Sequence, residues 1–122
     1  NKISAINTTI MGQDSKTNPF YGAPEILIVL ADKNVPTHIY DGALVMGNMM
    51  AEASSLGIGS CWIHRAKEEF ESEEGKELLK AWGISGDYEG IGHLAIGYPD
   101  VALQKALPKP SPRKENYVYF IK

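Results

Sequence analysis

Residues Ala51–Arg65, AEASSLGIGSCWIHR, decide the fold, because a stretch typical of a helix passes across a glycine pair into a stretch typical of a strand. Gly57 stands where glycine often ends a helix, since it adopts a left-handed backbone at little cost. Gly59 then opens SCWIHR, which we predict as a strand. The segment therefore predicts a helix that turns directly into a strand.

A long apolar helix is predicted before the glycines, from Thr37 as N-cap to Leu56. Asp41 near its positive end favours that start. The apolar residues are Leu44, Val45, Met46, Met49, Met50, Ala53 and Leu56. They cover more than one core-facing stripe, so we expect burial on more than one side, by the core and by a second subunit. The methionines are interpreted as core filling rather than cofactor contacts.

Strands are predicted on both sides of this segment. The run EILIVLA, which begins at Glu25, is rich in β-branched residues and does not alternate, as is typical of a central strand buried on both faces. Gly90–Tyr98, GIGHLAIGY, predicts another strand, which Pro99 ends. The last residues, NYVYFI, again favour a strand, so four strands are expected.

Two further helices and an extended arm complete the prediction. Helical spacing indicates a short helix around Ile3–Met11 and a later one over Ser72–Trp82, with Gly83 as its stop. Residues expected to face inward in the later helix are Leu78, Leu79 and Trp82. Lys105–Lys114 holds three prolines and four basic residues, so we expect it to run extended over a surface.

Composition limits the classes of protein. The 122 residues, 43% hydrophobic and 22% charged, suffice for one compact domain and are too few for two, and the order of elements predicts an α+β fold. A formal net charge of -3 gives no overall attraction to nucleic acid or to an anionic membrane. No apolar run reaches the roughly 20 residues of a membrane span. Cys61 is the single cysteine, which excludes an internal disulfide and fits a cytoplasmic location.

Nucleophilic and metal sites are disfavoured by spacing. Cys61 and His64 are three residues apart on a predicted strand, so their side chains point to opposite faces and cannot readily form a thiolate–imidazolium pair. Zinc needs three or four ligands, and His38 and His93 show no spacing that completes such a set. We predict no metal site. His93 is interpreted as a core histidine with a satisfied hydrogen bond.

Two other patterns are also interpreted as structural. In Gly57-Ile58-Gly59 the third glycine of a dinucleotide-binding motif would fall at Trp62, and the order of helix then strand is the reverse of that motif. The acidic run contains Glu68, Glu69, Glu71, Glu73 and Glu74. We interpret it as the solvated start of a helix rather than a buried acid–base or metal site.

Arg113 and Lys114 stand side by side between the proline-rich arm and the last residues. Two adjacent cations in a chain without net positive charge could bind one phosphate through charge-assisted hydrogen bonds. An ordinary solvated turn is the simpler interpretation. From the residues alone both stay open.

Four blocks of the sequence follow one another in the order of a known family. They are FYGAPEILIV at Phe20–Val29, YDGALVMGNMMAEASSLGIGSCWI at Tyr40–Ile63, GHLAIGYP at Gly92–Pro99 and KPSPRKENYVYFI at Lys109–Ile121. Together they resemble the FMN-dependent nitroreductases. The resemblance implies an α+β fold with a mixed, largely antiparallel sheet flanked by helices. It also implies a homodimer with the long helix at its core, and a C-terminal arm and strand exchanged between the subunits.

The resemblance further implies a cofactor site and a reaction. In such proteins the strand after the glycine pair passes beside the flavin ring and contacts it through the backbone. Carried over, these residues are Trp62, Ile63, His64 and Arg65. A basic pair before the last strand binds the FMN phosphate, and Arg113 and Lys114 match it. The implied reaction is hydride transfer from NADH or NADPH to flavin N5, followed by reduction of a small-molecule acceptor such as a nitroaromatic or a quinone, with no catalytic side chain.

One part of the family pattern is missing from the sequence. Members normally begin with an arginine-rich helix and a following Ser/Pro/Asn segment, both of which bind FMN, whereas this chain has arginine only at Arg65 and Arg113. We therefore expect a single nitroreductase-like domain over residues 1–122 that lacks its N-terminal portion. The alternative hypothesis is a non-catalytic or weakly flavin-binding dimerisation module.

Overall fold

An antiparallel sheet positions the other elements. The structure is a computed structural model and describes residues 2–13, 17–104 and 109–121. Within these ranges the strands are β1 (Glu25–Asp32), β2 (Gly59–Ile63) and β3 (Tyr88–Gly97), in the spatial order β1-β3-β2. The helices are α1 (Lys2–Ile10), α2 (His38–Ser55), α3 (Ala66–Glu71), α4 (Glu73–Ala81) and α5 (Val101–Gln104). The fold is α+β, as predicted.

The central strand is β3 rather than β1. Leu94 of β3 lies opposite Leu27 of β1 and opposite Trp62 of β2, and it is 1% exposed. Leu27 is 41% exposed, and most of β1 is only half-buried. The prediction that EILIVLA is buried on both faces is therefore wrong, because β1 lies at an edge of the sheet.

Helices pack on both faces of the sheet. One face carries α1, α3 and α4, and its buried residues are Ile3, Phe20, Ile63, Ala66, Phe70, Leu79 and Ala95. Helix α2 packs against the strands from the opposite face. There Met46 is fully buried, and Gly42 lies so close to Ile91 that a Cβ would be 2.5 Å from its Cγ1. The described helices thus enclose the central strand.

The junction between α2 and β2 forms as the sequence predicts. Gly57 has a φ of +70°, and its N–H donates to the carbonyl of Ser54 at 3.1 Å. The N–H of Ile58 donates to the carbonyl of Ala53 at 2.8 Å, which completes the pair of bonds that commonly ends a helix at glycine. Thr37 is the N-cap residue as predicted, but its hydroxyl donates to Asp41 rather than accepting from the backbone.

Much of the apolar surface of α2 is uncovered in the single chain. Leu44 is 66% exposed, Val45 46% and Leu56 64%, because the sheet covers only one stripe of the helix. The prediction that a second subunit covers the remainder stays a prediction.

The acidic run forms two helices instead of one. The predicted helix over Ser72–Trp82 is α4, with Ser72 as its N-cap, and α3 precedes it as an additional helix. Leu79 is buried as expected. Trp82 is 48% exposed, so the prediction that it faces inward is wrong, because it follows the last helical residue as the C-cap.

The C-terminal residues do not join the sheet of this chain. Residues 109–121 contain no strand, and Tyr119, Phe120 and Ile121 are 80%, 91% and 97% exposed. A strand needs a neighbour to pair with, so the predicted exchange of a C-terminal arm and strand between two subunits stays a prediction. Part of the predicted arm, residues 105–108, lies outside the described residues. In the described part of the chain no helix is long and apolar enough to cross a membrane.

A partly buried carboxylate ties β3 to two helices. Glu89 Oε2 lies 3.2 Å from Lys67 Nζ and 3.4 Å from His38 Nε2. Burial raises the pKa of Glu89, but the hydrogen bonds and charges of Lys67 and His38 outweigh burial, so the pKa lies below its ordinary value. A carboxyl with a depressed pKa in the folded state stabilises the fold above its unfolded-state pKa.

Glu89→Gln is therefore expected to lower the free energy of unfolding at pH 7. The difference from the unaltered protein should shrink as the pH falls through the folded-state pKa of Glu89, since both chains are then uncharged at that position. Urea unfolding at several pH values between 7 and 3 measures this. Glu73→Gln is the matched control, because Glu73 pairs with Lys76 in an exposed pair that should contribute little. A difference for Glu89→Gln that grows on acidification would contradict the assignment.

Candidate functional site

A groove runs beside the edge strand β2. Residues Cys61–Arg65 form one side, and Met11, Thr17–Pro19 and Tyr21 form the other. Its volume is about 270 Å³. Trp62, Ile63, His64 and Arg65 all line it. The four residues that the resemblance places beside a flavin ring therefore share one groove.

A second and larger groove, of about 420 Å³, lies between α1 and α4. Its charged residues are Lys2, Glu74 and Glu77, and the rest of its lining is aliphatic. It contains none of the predicted site residues. The smaller groove is therefore the better candidate, because size alone does not supply chemistry.

The indole of Trp62 fits closely against the central strand. A Cβ at Gly92 would lie 2.3 Å from Trp62 Nε1, so the ring occupies space that only glycine leaves open. The rings of Trp62 and His64 stack, with centroids 5.9 Å apart and planes at 24°. This is possible because residues two apart on a strand share a face. Trp62 Nε1 is buried and has no hydrogen-bond partner among the described residues.

The strand ends earlier than SCWIHR predicts, at Ile63. Arg65 has a φ of +77° and is the N-cap residue of α3. A non-glycine residue in the left-handed region is uncommon and has an energetic cost, so the surroundings must hold it there. We call residues 63–66 the β2–α3 turn.

Three polar side chains meet in the core below this turn, and we call them the Asn7–Glu69–His93 cluster. Each is 0% exposed. His93 Nε2 lies 2.7 Å from Glu69 Oε2, and Asn7 Nδ2 donates to Glu69 Oε1. His93 Nδ1 lies 3.4 Å from the carbonyl oxygen of Ile63.

The cluster also contacts the two residues that follow Ile63. Asn7 Nδ2 donates to the carbonyl of His64 at 3.2 Å, and Arg65 Nε donates to Asn7 Oδ1 at 3.0 Å. A buried amide on α1 thus bonds to both His64 and Arg65. Since these residues line the groove, the core and the groove are directly connected.

Glu69, one residue of this cluster, lies elsewhere than the sequence predicts. Glu69 is buried and paired, so its interpretation within a solvated helix start is wrong. Helix α3 turns Ala66, Glu69 and Phe70 to the same side, because residues three and four apart share a helix face. The three-residue spacing of Ala66 and Glu69, with Phe70 next to Glu69, is the feature of the sequence that indicates an inward position for Glu69. The interpretation of His93 as a bonded core histidine is confirmed by its complete burial and by the contact of its Nδ1 with the carbonyl of Ile63.

Arg113 and Lys114 are not brought to this groove. Both are exposed and lie in the segment 109–121, and neither makes a hydrogen bond or ion pair with another described residue. Their assignment to the FMN phosphate stays a prediction. In the described residues no three His, Cys, Asp or Glu side chains are grouped so that they could hold a metal ion.

The sequence matches the model of the nitroreductase family over residues 9–98. The chain belongs to the nitroreductase family. No curated protein sequence matches it significantly. The structure is similar to that of a nitroreductase with bound FMN from Bacteroides fragilis, with a TM-score of 0.81 and 24% identity over 99% of this chain and 67% of that chain.

Two further structures are similar. An FMN-dependent nitroreductase from Clostridium difficile has a TM-score of 0.65 and 19% identity, over 99% of this chain and 69% of that chain. An iodotyrosine deiodinase bound to FMN and 3-iodo-L-tyrosine has a TM-score of 0.57 and 25% identity, over 86% of this chain and 51% of that chain. The nitroreductase-like fold is therefore confirmed, and the chain spans about two thirds of the length of the two nitroreductases (67% and 69%).

Family membership supports a flavin oxidoreductase. The deiodinase shows that proteins with this nitroreductase-like fold differ in the reaction that they perform. The fold alone therefore does not determine the substrate of this chain.

Proposed function

We propose that the chain is part of an FMN-dependent oxidoreductase in which hydride passes from NADH or NADPH through the flavin to a nitroaromatic, a quinone or a similar acceptor. The observation that carries this proposal is the placement of Trp62–Arg65 along one groove of a chain of the nitroreductase family. Cys61, the single cysteine, fits the reducing conditions of the cytoplasm.

The residues along the groove fit a flavin ring. Since β2 lies at the edge of the sheet, its outward backbone groups are free to bond to the polar edge of the ring. The stacked rings of Trp62 and His64 offer apolar area, and the guanidinium of Arg65 offers donors for a carbonyl or anionic group. Bound FMN would supply the hydride chemistry. The residues of this groove would hold and orient the flavin ring and exclude water from it.

We propose further that two copies form a homodimer around α2. The groove, at about 270 Å³, lies below the roughly 300–1,000 Å³ of typical ligand sites, so it supplies one wall only. Exposed apolar side chains on α2 and in Tyr117–Ile121 supply surface for a second copy. In such a dimer Arg113 and Lys114 of one copy would reach the phosphate bound by its partner.

The test is flavin binding followed by turnover. The protein is stripped of flavin and titrated with FMN and with riboflavin, then assayed for NADH and NADPH oxidation with a nitroaromatic or a quinone. Tighter binding of FMN than of riboflavin, with acceptor-dependent oxidation, is the expected result. No binding of either flavin would contradict the proposal. Binding without turnover would favour a non-catalytic dimerisation module. The low arginine content of the chain supports this alternative.

A further inference from the structure

We propose that Asn7 is a positioning residue, which, backed by Glu69 and His93, sets the shape of the β2–α3 turn and thereby the affinity of the groove for FMN. This inference rests on the proposed function. Asn7 does not line the groove, but it is hydrogen-bonded to His64 and Arg65, which do, so its effect would act through these two residues.

Both donor hydrogens and the acceptor oxygen of Asn7 are engaged in hydrogen bonds. Its Nδ2 donates to Glu69 Oε1 and to the carbonyl of His64, and its Oδ1 accepts from Arg65 Nε. An amide has two donor hydrogens and one acceptor oxygen, so this arrangement leaves it no freedom to rotate. The orientation of Asn7 is therefore determined, and with it the position of the turn.

Glu69 and His93 support Asn7 from the other side. His93 Nε2 lies 2.7 Å from Glu69 Oε2, and His93 Nδ1 approaches the carbonyl of Ile63. Glu69 Oε1 accepts a hydrogen bond from Asn7. The cluster thus contacts the turn at consecutive residues, 63, 64 and 65. Such a network resists displacement of any one of these contacts, because each partner is itself held.

Stability alone gives no reason for this cluster. Burying a carboxylate with an imidazole costs desolvation, and apolar replacements of buried pairs are often neutral or stabilising. The turn gives a reason, since Arg65 has a φ of +77° and its surroundings must hold it in that costly conformation. A precisely held turn matters most where its backbone contacts a ligand.

The matched variants are Asn7→Ala and Ile6→Ala. Both residues lie in α1 and are buried, but Ile6 lines the groove against α4, and its apolar side chain forms no hydrogen bond to the turn. Each loses core packing, so both are expected to lower the melting temperature. Only Asn7→Ala removes bonds to the turn.

The first readout uses the flavin-free protein. Amide hydrogen exchange at residues 63–66 is expected to accelerate about tenfold in Asn7→Ala, because the variant loses hydrogen bonds that hold the local structure. In Ile6→Ala the exchange rate should stay within about twofold of that of the unaltered protein. Similar exchange at the turn in both variants would overturn the inference. Because no flavin is needed, this result is independent of the proposed function.

The second readout is FMN binding. Asn7→Ala is expected to weaken FMN binding by about tenfold or more and to shift the flavin reduction potential, whereas Ile6→Ala at equal loss of melting temperature leaves both unchanged. Unchanged FMN affinity in Asn7→Ala, with the unaltered protein binding FMN, would overturn the inference. If the unaltered protein does not bind FMN, the proposed function fails and the exchange result still decides the role of Asn7.

Glu69→Gln is the second variant if Asn7→Ala does not fold. It keeps the volume of the side chain and one oxygen acceptor for Asn7 but replaces the oxygen that faces His93 with an amide nitrogen. Turn exchange and FMN affinity are expected to change in the same direction as for Asn7→Ala and by less. A change in melting temperature without a change in turn exchange or in FMN affinity would overturn the inference.

Discussion

Gly75→Ala is expected to lower the free energy of unfolding strongly, because the added Cβ would lie 1.9 Å from the carbonyl oxygen of Glu69 and 2.8 Å from the Cα of Phe70. These atoms are backbone, so they cannot rotate away as a side chain does. Helices α3 and α4 meet here across the single residue Ser72. Relief would require the two helices to separate.

Local hydrogen bonds make that separation costly. The hydroxyl of Ser72 donates to the carbonyl of Glu69 at 2.6 Å and accepts from the N–H of Gly75 at 3.0 Å. The methyl group would enter the space between these bonded groups. Overpacking typically costs about 1–3 kcal/mol and sometimes more, and we expect Gly75→Ala at or above the upper end, about 3 kcal/mol. Urea unfolding at pH 7 measures it.

Gly47→Ala is the matched control. Gly47 also lies in a helix, α2, but apart from its own helix backbone and chain neighbours no described atom lies within 4 Å of the position of its Cβ. Alanine is favoured over glycine in a helix interior by about 1 kcal/mol, so this variant should be at least as stable as the unaltered protein. Equal stabilities for the two variants would show that α3 and α4 do not pack as closely as described.

The double replacement of Arg113 and Lys114 by alanine is expected to produce the largest change in cofactor binding. Each charged hydrogen bond to the phosphate contributes about 1.5–3 kcal/mol, so the loss of both should weaken FMN binding by about a hundredfold or more. Riboflavin has no phosphate, and its binding should not change. Fluorescence titration with both flavins gives the two affinities.

The double variant Lys76→Ala and Lys80→Ala provides the control for net charge. Both lysines are exposed on α4 and do not line the groove. Replacing them removes the same two positive charges as replacing Arg113 and Lys114. FMN affinity should stay within about threefold of the unaltered protein, because exposed charges farther than a Debye length of about 8–10 Å are largely screened. If the Arg113 and Lys114 variant also binds FMN normally, the pair belongs to a solvated turn.

Local sequence patterns predicted those helices and strands that are determined by residues close together in the chain. The helix that ends at Gly57 and the strand after Gly59 depend on backbone freedom at one glycine and on apolar runs beside it, and both are confirmed. Ser72 begins α4 for a similarly local reason, because its hydroxyl oxygen accepts a hydrogen bond from the N–H of Gly75 in the first turn.

Burial was harder to predict than the elements. EILIVLA has the composition of a central strand, yet β1 lies at an edge because β3 pairs with both other strands. Trp82 fits an inward helical spacing, yet it falls just past the end of α4 and stays half exposed. Strand order and the exact end of a helix depend on contacts between distant residues, which periodicity does not contain.

The sequence by itself determined the family resemblance, the α+β class and the strand Trp62–Ile63 beside the candidate site, because these follow from contiguous residues. Only the tertiary structure decided that Asn7, Glu69 and His93 meet under the β2–α3 turn. Asn7 and Glu69 are 62 positions apart, and neither stands in a motif. Their meeting depends on α1 and α3 packing on one face of the sheet, where a buried polar group must find a partner.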